Sequence, residues 1–105
     1  MGNNPALSPY KEFIMRATKI RMKNGCGNSN NAVEIADIFI EGCDKPGFYD
    51  NGVLHDHVTK NPGSIQVNIS PYPNLVPATS VRGEKYVRSE PNDTPHDNLL
   101  KLPRS

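Results

Sequence analysis

A chain of 105 residues is the usual size of one domain and leaves no room for two ordinary ones. Its 12 basic and 11 acidic side chains nearly cancel to +1, so no global field draws the protein onto nucleic acid or an acidic membrane, although a local basic patch is compatible with that balance. Hydrophobic residues make up 35% of the chain and aromatics 7%, with no Trp, so a core requires these residues to be concentrated in a few segments.

The opening stretch Met1 to Tyr10 is polar and contains Pro, with no apolar stretch of the kind a secretory leader needs. Ser8 can cap a short helix with Pro9 in its first position and Tyr10 to Met15 as its body. Residues 1–14 are therefore expected to be a flexible extension or short helix, and 15–105 a single compact domain.

Thr18 to Lys23 is the cleanest alternation in the chain, with Ile20 and Met22 on one side and Lys19, Arg21 and Lys23 on the other. This predicts a half-buried strand with a wet basic face. The Asn- and Gly-rich run 24–31 breaks it. Ala32 to Ile40 is rich in Ile and Val and is read as a second strand, although Val33, Ala36 and Ile40 also share a helical face. Lys45 to Gly52 reads as a turn carrying two aromatics, Phe48 and Tyr49.

Val53 to Lys60 predicts one or two helical turns with Val53, Leu54 and Val58 facing inward, stopped by Asn61-Pro62-Gly63. Ser64 to Ile69 alternates again, with Ile65, Val67 and Ile69 on one face. Pro71, Pro73 and Pro77 lack amide donors, so 71–77 is expected as an ordered, extended loop rather than a central strand. Ala78 to Val81 and Lys85 to Arg88, joined by Arg82-Gly83-Glu84, complete the sheet as a hairpin. Strands followed by a helix on one side give an α+β class: a small antiparallel or mixed sheet of about four strands with one or two short helices.

The tail carries Tyr86-Val87-Arg88-Ser89 and then Asp97-Asn98-Leu99-Leu100-Lys101-Leu102-Pro103. With Thr18 to Met22, this closing pattern resembles a family of small uncharacterised bacterial proteins that end Tyr-(Val/Ile)-Arg-(Ser/Thr), a spacer, then Asp-Asn-Leu-x-x-Leu-Pro. The resemblance implies a bacterial or phage source and a compact domain of unknown function, with no catalytic residues to carry over. Physically, Asp97 or Asn98 can turn the chain, and Leu99, Leu100 and Leu102 can anchor the tail on the sheet.

Cys26 and Cys43 lack paired Cys-x-x-Cys spacing, so free thiols in a cytoplasmic setting are expected, with a disulfide as the alternative if their loops meet. His55-Asp56-His57 is the most metal-like triplet. On a strand its two imidazoles share a face, whereas on a helix they diverge by about 200°. A metal held by this pair would need a third ligand from Asp50, Asp44, His96 or a cysteine. Lys19, Arg21, Lys23, Lys85 and Arg88 are candidates for nucleic-acid or nucleotide contact, with Tyr72 and Tyr86 as stacking surfaces. The Pro-rich loop can present Tyr72 and Leu75 to a protein partner, or fold down over the core. Asn98 of the tail is the third residue expected to contact a protein partner. The function these features favour is a non-catalytic protein-binding module with an unidentified partner, no cofactor and no membrane. Nucleic-acid binding and a small metal-dependent enzyme on His55 and His57 are the alternatives, and the oligomeric state stays open.

Overall fold

Alternating apolar residues build two sheets that bury their inner faces around one core. The structure, a computed structural model, describes residues 5–7, 14–29, 31–70, 72–90 and 98–105. Strands β1 (Met15–Met22), β2 (Ile35–Glu41), β3 (Gly47–Asp50) and β4 (Ile65–Val67) form a mixed sheet in the order β3-β2-β1-β4. β5 (Leu75–Thr79) and β6 (Lys85–Ser89) form a separate antiparallel hairpin, and α1 (Asn51–Lys60) packs against both of its strands. The expected α+β class holds.

Several local expectations needed correction. The helix proposed over Tyr10 to Met15 falls largely on residues outside those described, and Met15 already belongs to β1. Ala32–Glu34 is a 3-10 turn capped by Asn31, so β2 starts only at Ile35. Gly47–Asp50 is an edge strand rather than a turn, because it pairs antiparallel with β2 through Phe39↔Phe48 and Ile38↔Tyr49. β4 is limited to Ile65–Val67 and runs parallel to β1, while Ile69 lies past its end but still packs against the core. The hairpin does not extend the first sheet. It also includes Pro77, which its two-stranded sheet tolerates because each strand has one side free of a ladder.

The helix begins at Asn51, where the Asp50 carboxylate accepts from the Gly52 amide. Its inner stripe is Asn51, Leu54, His57 and Val58, at helical spacing. Val53, expected inside, is 39% exposed, and His57, the last residue of the His55-Asp56-His57 triplet, takes an inner position instead.

The core gathers Met15, Ala17 and Ile20 of β1, Ile35, Ile38 and Ile40 of β2, Ile65 and Val67 of β4, and Leu54 and Val58 of α1. Leu75 and Val87 join from the hairpin, Leu7 from the amino-terminal 3-10 turn, and Leu99 and Leu102 from the tail. The tail anchoring read from the sequence is present: the Ile20 amide donates to the Pro103 carbonyl and the Ser105 amide to the Ile20 carbonyl. The chain thus runs along β1 beside its carboxyl-terminal half.

One buried polar group ties these parts together. Asn51 Nδ2 donates to the Ile35 carbonyl at 3.0 Å, with a longer approach to Ala32 at 3.5 Å. Its Oδ1 accepts from the Val87 amide at 2.9 Å. Val87 stands opposite Pro77 in the hairpin, and its amide turns to Asn51 rather than across the ladder. Replacing Asn51 by Leu leaves that amide and the Ile35 carbonyl buried without a partner. The expected loss is about 2–4 kcal/mol in urea denaturation.

Gly42 ends β2 with φ +79, and a Cβ there would overlap the Ile14 backbone carbonyl. Gly83 in the hairpin turn has a similar φ of +86 but nothing within 4 Å of the same position. Gly42→Ala should therefore cost about 2–4 kcal/mol in the same assay, and Gly83→Ala only about 1 kcal/mol, the conformational part alone.

Candidate functional site

The inner faces of β1 and β2 take Ile20, Ile38 and Ile40, so their other parity points outward. A register shift at Thr18 lets β1 place Arg16, Lys19 and Arg21 on that outward face. Level with them on β2 stand Glu41, Phe39 and Asp37, and β3 adds Phe48 and Asp50. Gln66 of β4 lies beside Arg16.

Cations and rings interleave across this face. The Arg21 guanidinium lies 4.2 Å from the centre of the Phe48 ring and meets Asp37 at 3.0 Å. The Lys19 ammonium lies 5.1 Å from the centre of Phe39. Phe39 and Phe48 pack edge to face with centroids 5.1 Å apart. On the β4 side, Arg16 sits 5.1 Å from the Tyr72 ring and donates to the Asn68 side chain at 3.1 Å. The Thr18 hydroxyl donates to Glu41.

The structure brings Tyr72 onto the same face as Lys19 and Arg21, as the nucleic-acid candidate grouped them, although Tyr72 was also a candidate for protein contact. Tyr72 is 46% exposed and has φ +60, and its amide donates to the Ile69 carbonyl, closing the turn. A tyrosine in the left-handed region is strained, so its surroundings hold it there. Leu75, its companion in the sequence reading, is 1% exposed and belongs to the core. Asn98 opens the tail 3-10 turn, and its side chain lies outside what is described. Phe39, Phe48 and Arg16 were missed. The available signal was Phe39 sharing the parity of Asp37 and Glu41, an aromatic on the polar side of a strand.

The other basic candidates sit elsewhere. Lys23 lies just past β1 and pairs with Glu84 at 3.4 Å. Lys85 and Arg88 belong to β6, which is not a neighbour of β1, and Lys85 reaches Asp56 at 3.9 Å. Beside Lys23 an open cleft of about 410 Å³ separates the hairpin turn from the Ala32–Glu34 turn, lined by Val33, Glu34, Arg82 and Glu84.

Next to this cleft, Ser29 and Cys26 both donate to Glu34. These bonds hold the Glu34 carboxyl below its ordinary range, Ser29 contributing most. They push the Cys26 thiol up, chiefly through its bond to Glu34, which opposes the thiolate a nucleophile needs. Cys43 is buried, burial raises its thiol in turn, and both cysteines are free.

His55 and His57 lie on α1, where two positions apart means a divergence of about 200°. His55 is near Asp56, 3.5 Å away, while His57 turns into the core. Among the described residues no group of three or more His, Cys, Asp or Glu is placed to hold a metal ion, and His96 lies outside them.

His57 is 7% exposed, and neither ring nitrogen has a hydrogen-bond partner. Burial lowers its pKa, so the folded protein holds it neutral. In the unfolded chain it gains a proton below about pH 6.5. The unfolded state then binds more protons, and stability falls as pH drops from that point towards the lowered folded value. Urea midpoints measured between pH 7.5 and 5 should show this decline, with a slope of up to about 1.4 kcal/mol per pH unit. His57→Leu should flatten it.

Compared with known proteins, residues 16–103 match the family described as Protein of unknown function (DUF3892). No curated protein and no solved structure matches the chain.

Proposed function

The chain belongs to the family Protein of unknown function (DUF3892), and we propose that it is a non-catalytic protein-binding module whose contact surface is the outward face of the four-stranded sheet. The observation that carries this reading is the run of cation–ring pairs Arg16–Tyr72, Lys19–Phe39 and Arg21–Phe48 on one face. Phe, Tyr and Arg are the residues that concentrate binding energy at protein interfaces, because they offer large, stiff contact area with a polar handle.

The same face suits a polyanion poorly. Asp37 already engages Arg21, and Glu41 and Asp50 bring the carboxylates level in number with Arg16, Lys19 and Arg21. A cytoplasmic setting and a bacterial or phage source complete the reading. The free thiols support the first and the tail motif the second.

The test is affinity capture from cells of the source organism, with Tyr72→Ala and Phe48→Ala compared with the wild type. Both variants should keep the wild-type circular dichroism and lose at least about fivefold in recovery of a partner, the effect of removing an interface anchor worth more than about 1 kcal/mol. A surface variant away from the face, Lys45→Ala, should retain it. Salt-sensitive retention on heparin that Lys19→Glu and Arg21→Glu abolish would instead identify a nucleic-acid binder.

A further inference from the structure

The outward face carries its own complement. Its basic groups lie in one stripe along β1, and its acidic groups lie to one side of it, Asp37 and Glu41 along β2 and Asp50 beyond them on β3. The register sets Arg16 level with Glu41, Lys19 level with Phe39, and Arg21 level with Asp37. All these side chains are exposed or half-buried, so their outer sides remain open.

We propose that this face docks on the same face of a second copy of the chain, forming a symmetric dimer whose two-fold axis runs along the strands between β1 and β2. The inference rests on the reading of the face as a protein-contact surface and names its occupant. Rotation about that axis keeps each residue at its height along the strands and exchanges the two stripes. Arg21 of one copy then lies over Asp37 of the other, Arg16 over Glu41, and the Lys19 ammonium over Phe39. At each charged level the signs alternate around a square of four groups, which is the favourable arrangement of charge. The other in-plane axis, across the strands, lays basic stripe on basic stripe and is repulsive.

The geometry is one that sheets adopt. Two faces pack about 10 Å apart with strands aligned to within about 30°. The contact is isologous, so it closes at two copies and leaves no edge for further growth. From strand rise and spacing the face measures roughly 25 Å by 15 Å, which is small for a stable interface. The dimer is therefore expected to dissociate in the micromolar range, where a small number of anchors such as Arg21 and Phe48 decide the affinity.

The experiment is sedimentation equilibrium of the full chain from about 1 to 500 µM, spanning that affinity range. Two variants are compared with the wild type: one with a reversed basic stripe (Arg16→Glu with Arg21→Glu) and one with a reversed acidic stripe (Asp37→Lys with Glu41→Lys). The wild type should dimerise, and each variant alone should associate at least about tenfold more weakly because like charges face each other. An equimolar mixture of the two should form a heterodimer. Lys45→Glu, off the face, should leave self-association unchanged.

Wild-type protein alone supplies the second measurement, so the outcome does not hang on how the variants fold. Unlabelled and ¹⁵N-labelled chains are mixed and treated with a carbodiimide. Light–heavy cross-links from Lys19 to Asp37 or Glu41 support the proposal. A wild type that stays monomeric throughout the range overturns it, as does a dimer whose light–heavy links avoid this face. If the wild type is monomeric while Tyr72→Ala still loses a captured partner, the dimer fails and the contact-surface reading stands. If neither self-association nor capture depends on the face, both fail.

Discussion

The side chain of Asn51 does between the two sheets what a hydrogen-bonded ladder does within one. It stands at the first position of α1, is 8% exposed, and bridges the Ile35 carbonyl at the start of β2 to the Val87 amide in the middle of β6. Both of those backbone groups are taken out of water by the packing of helix and hairpin onto the sheet. Without a partner each would cost more than an ordinary hydrogen bond contributes. The amide geometry answers this need directly, because it donates at one end and accepts at the other. Leu54 and Val58 then follow on the same helical stripe into the core, so the polar tie and the apolar packing are set by one helix orientation.

That orientation decides which surface is left over. The helix, the hairpin residues Leu75 and Val87, and the tail residues Leu99 and Leu102 all belong to the cluster that includes Ile20, Ile38 and Ile40. The opposite parity of β1 and β2 therefore has to satisfy itself, and it does so laterally. Arg21 meets Asp37, Thr18 meets Glu41, and the rings of Phe39 and Phe48 accept cations over their faces. Such pairs contribute little to folding while exposed. They hold large side chains in fixed positions, and under the proposed contact role this lowers the entropy lost on association.

Much of this was readable from local pattern. The alternation around Ile20, Ile65 and Val67 identified buried strands, because its period reports directly on burial, and the leucines Leu99, Leu100 and Leu102 identified an anchored tail. The parallel partnership of β4 with β1 was not readable, since pairing depends on how the helix returns the chain rather than on the strand's own residues. Asn51 was read as part of a turn because its partner Val87 lies 36 residues away. Pro77 was excluded from a strand by a rule that holds for central strands and is relaxed in a two-stranded hairpin. The candidate face was half visible. Lys19 and Arg21 followed from alternation and Tyr72 from the proline-rich loop, but only the fold sets them beside Phe39 and Phe48.

The two sheets are one cooperative unit joined through Asn51. Native-state hydrogen exchange of the Val87 amide tests this most directly, because that proton is held by the asparagine side chain and not by the hairpin ladder. It should exchange only through global unfolding, with the same opening free energy as the slowest amides of β1 and β2. Exchange through a local opening several kcal/mol cheaper than those amides, with the central sheet still protected, would show that the hairpin comes away by itself and that the tie does not hold the fold together.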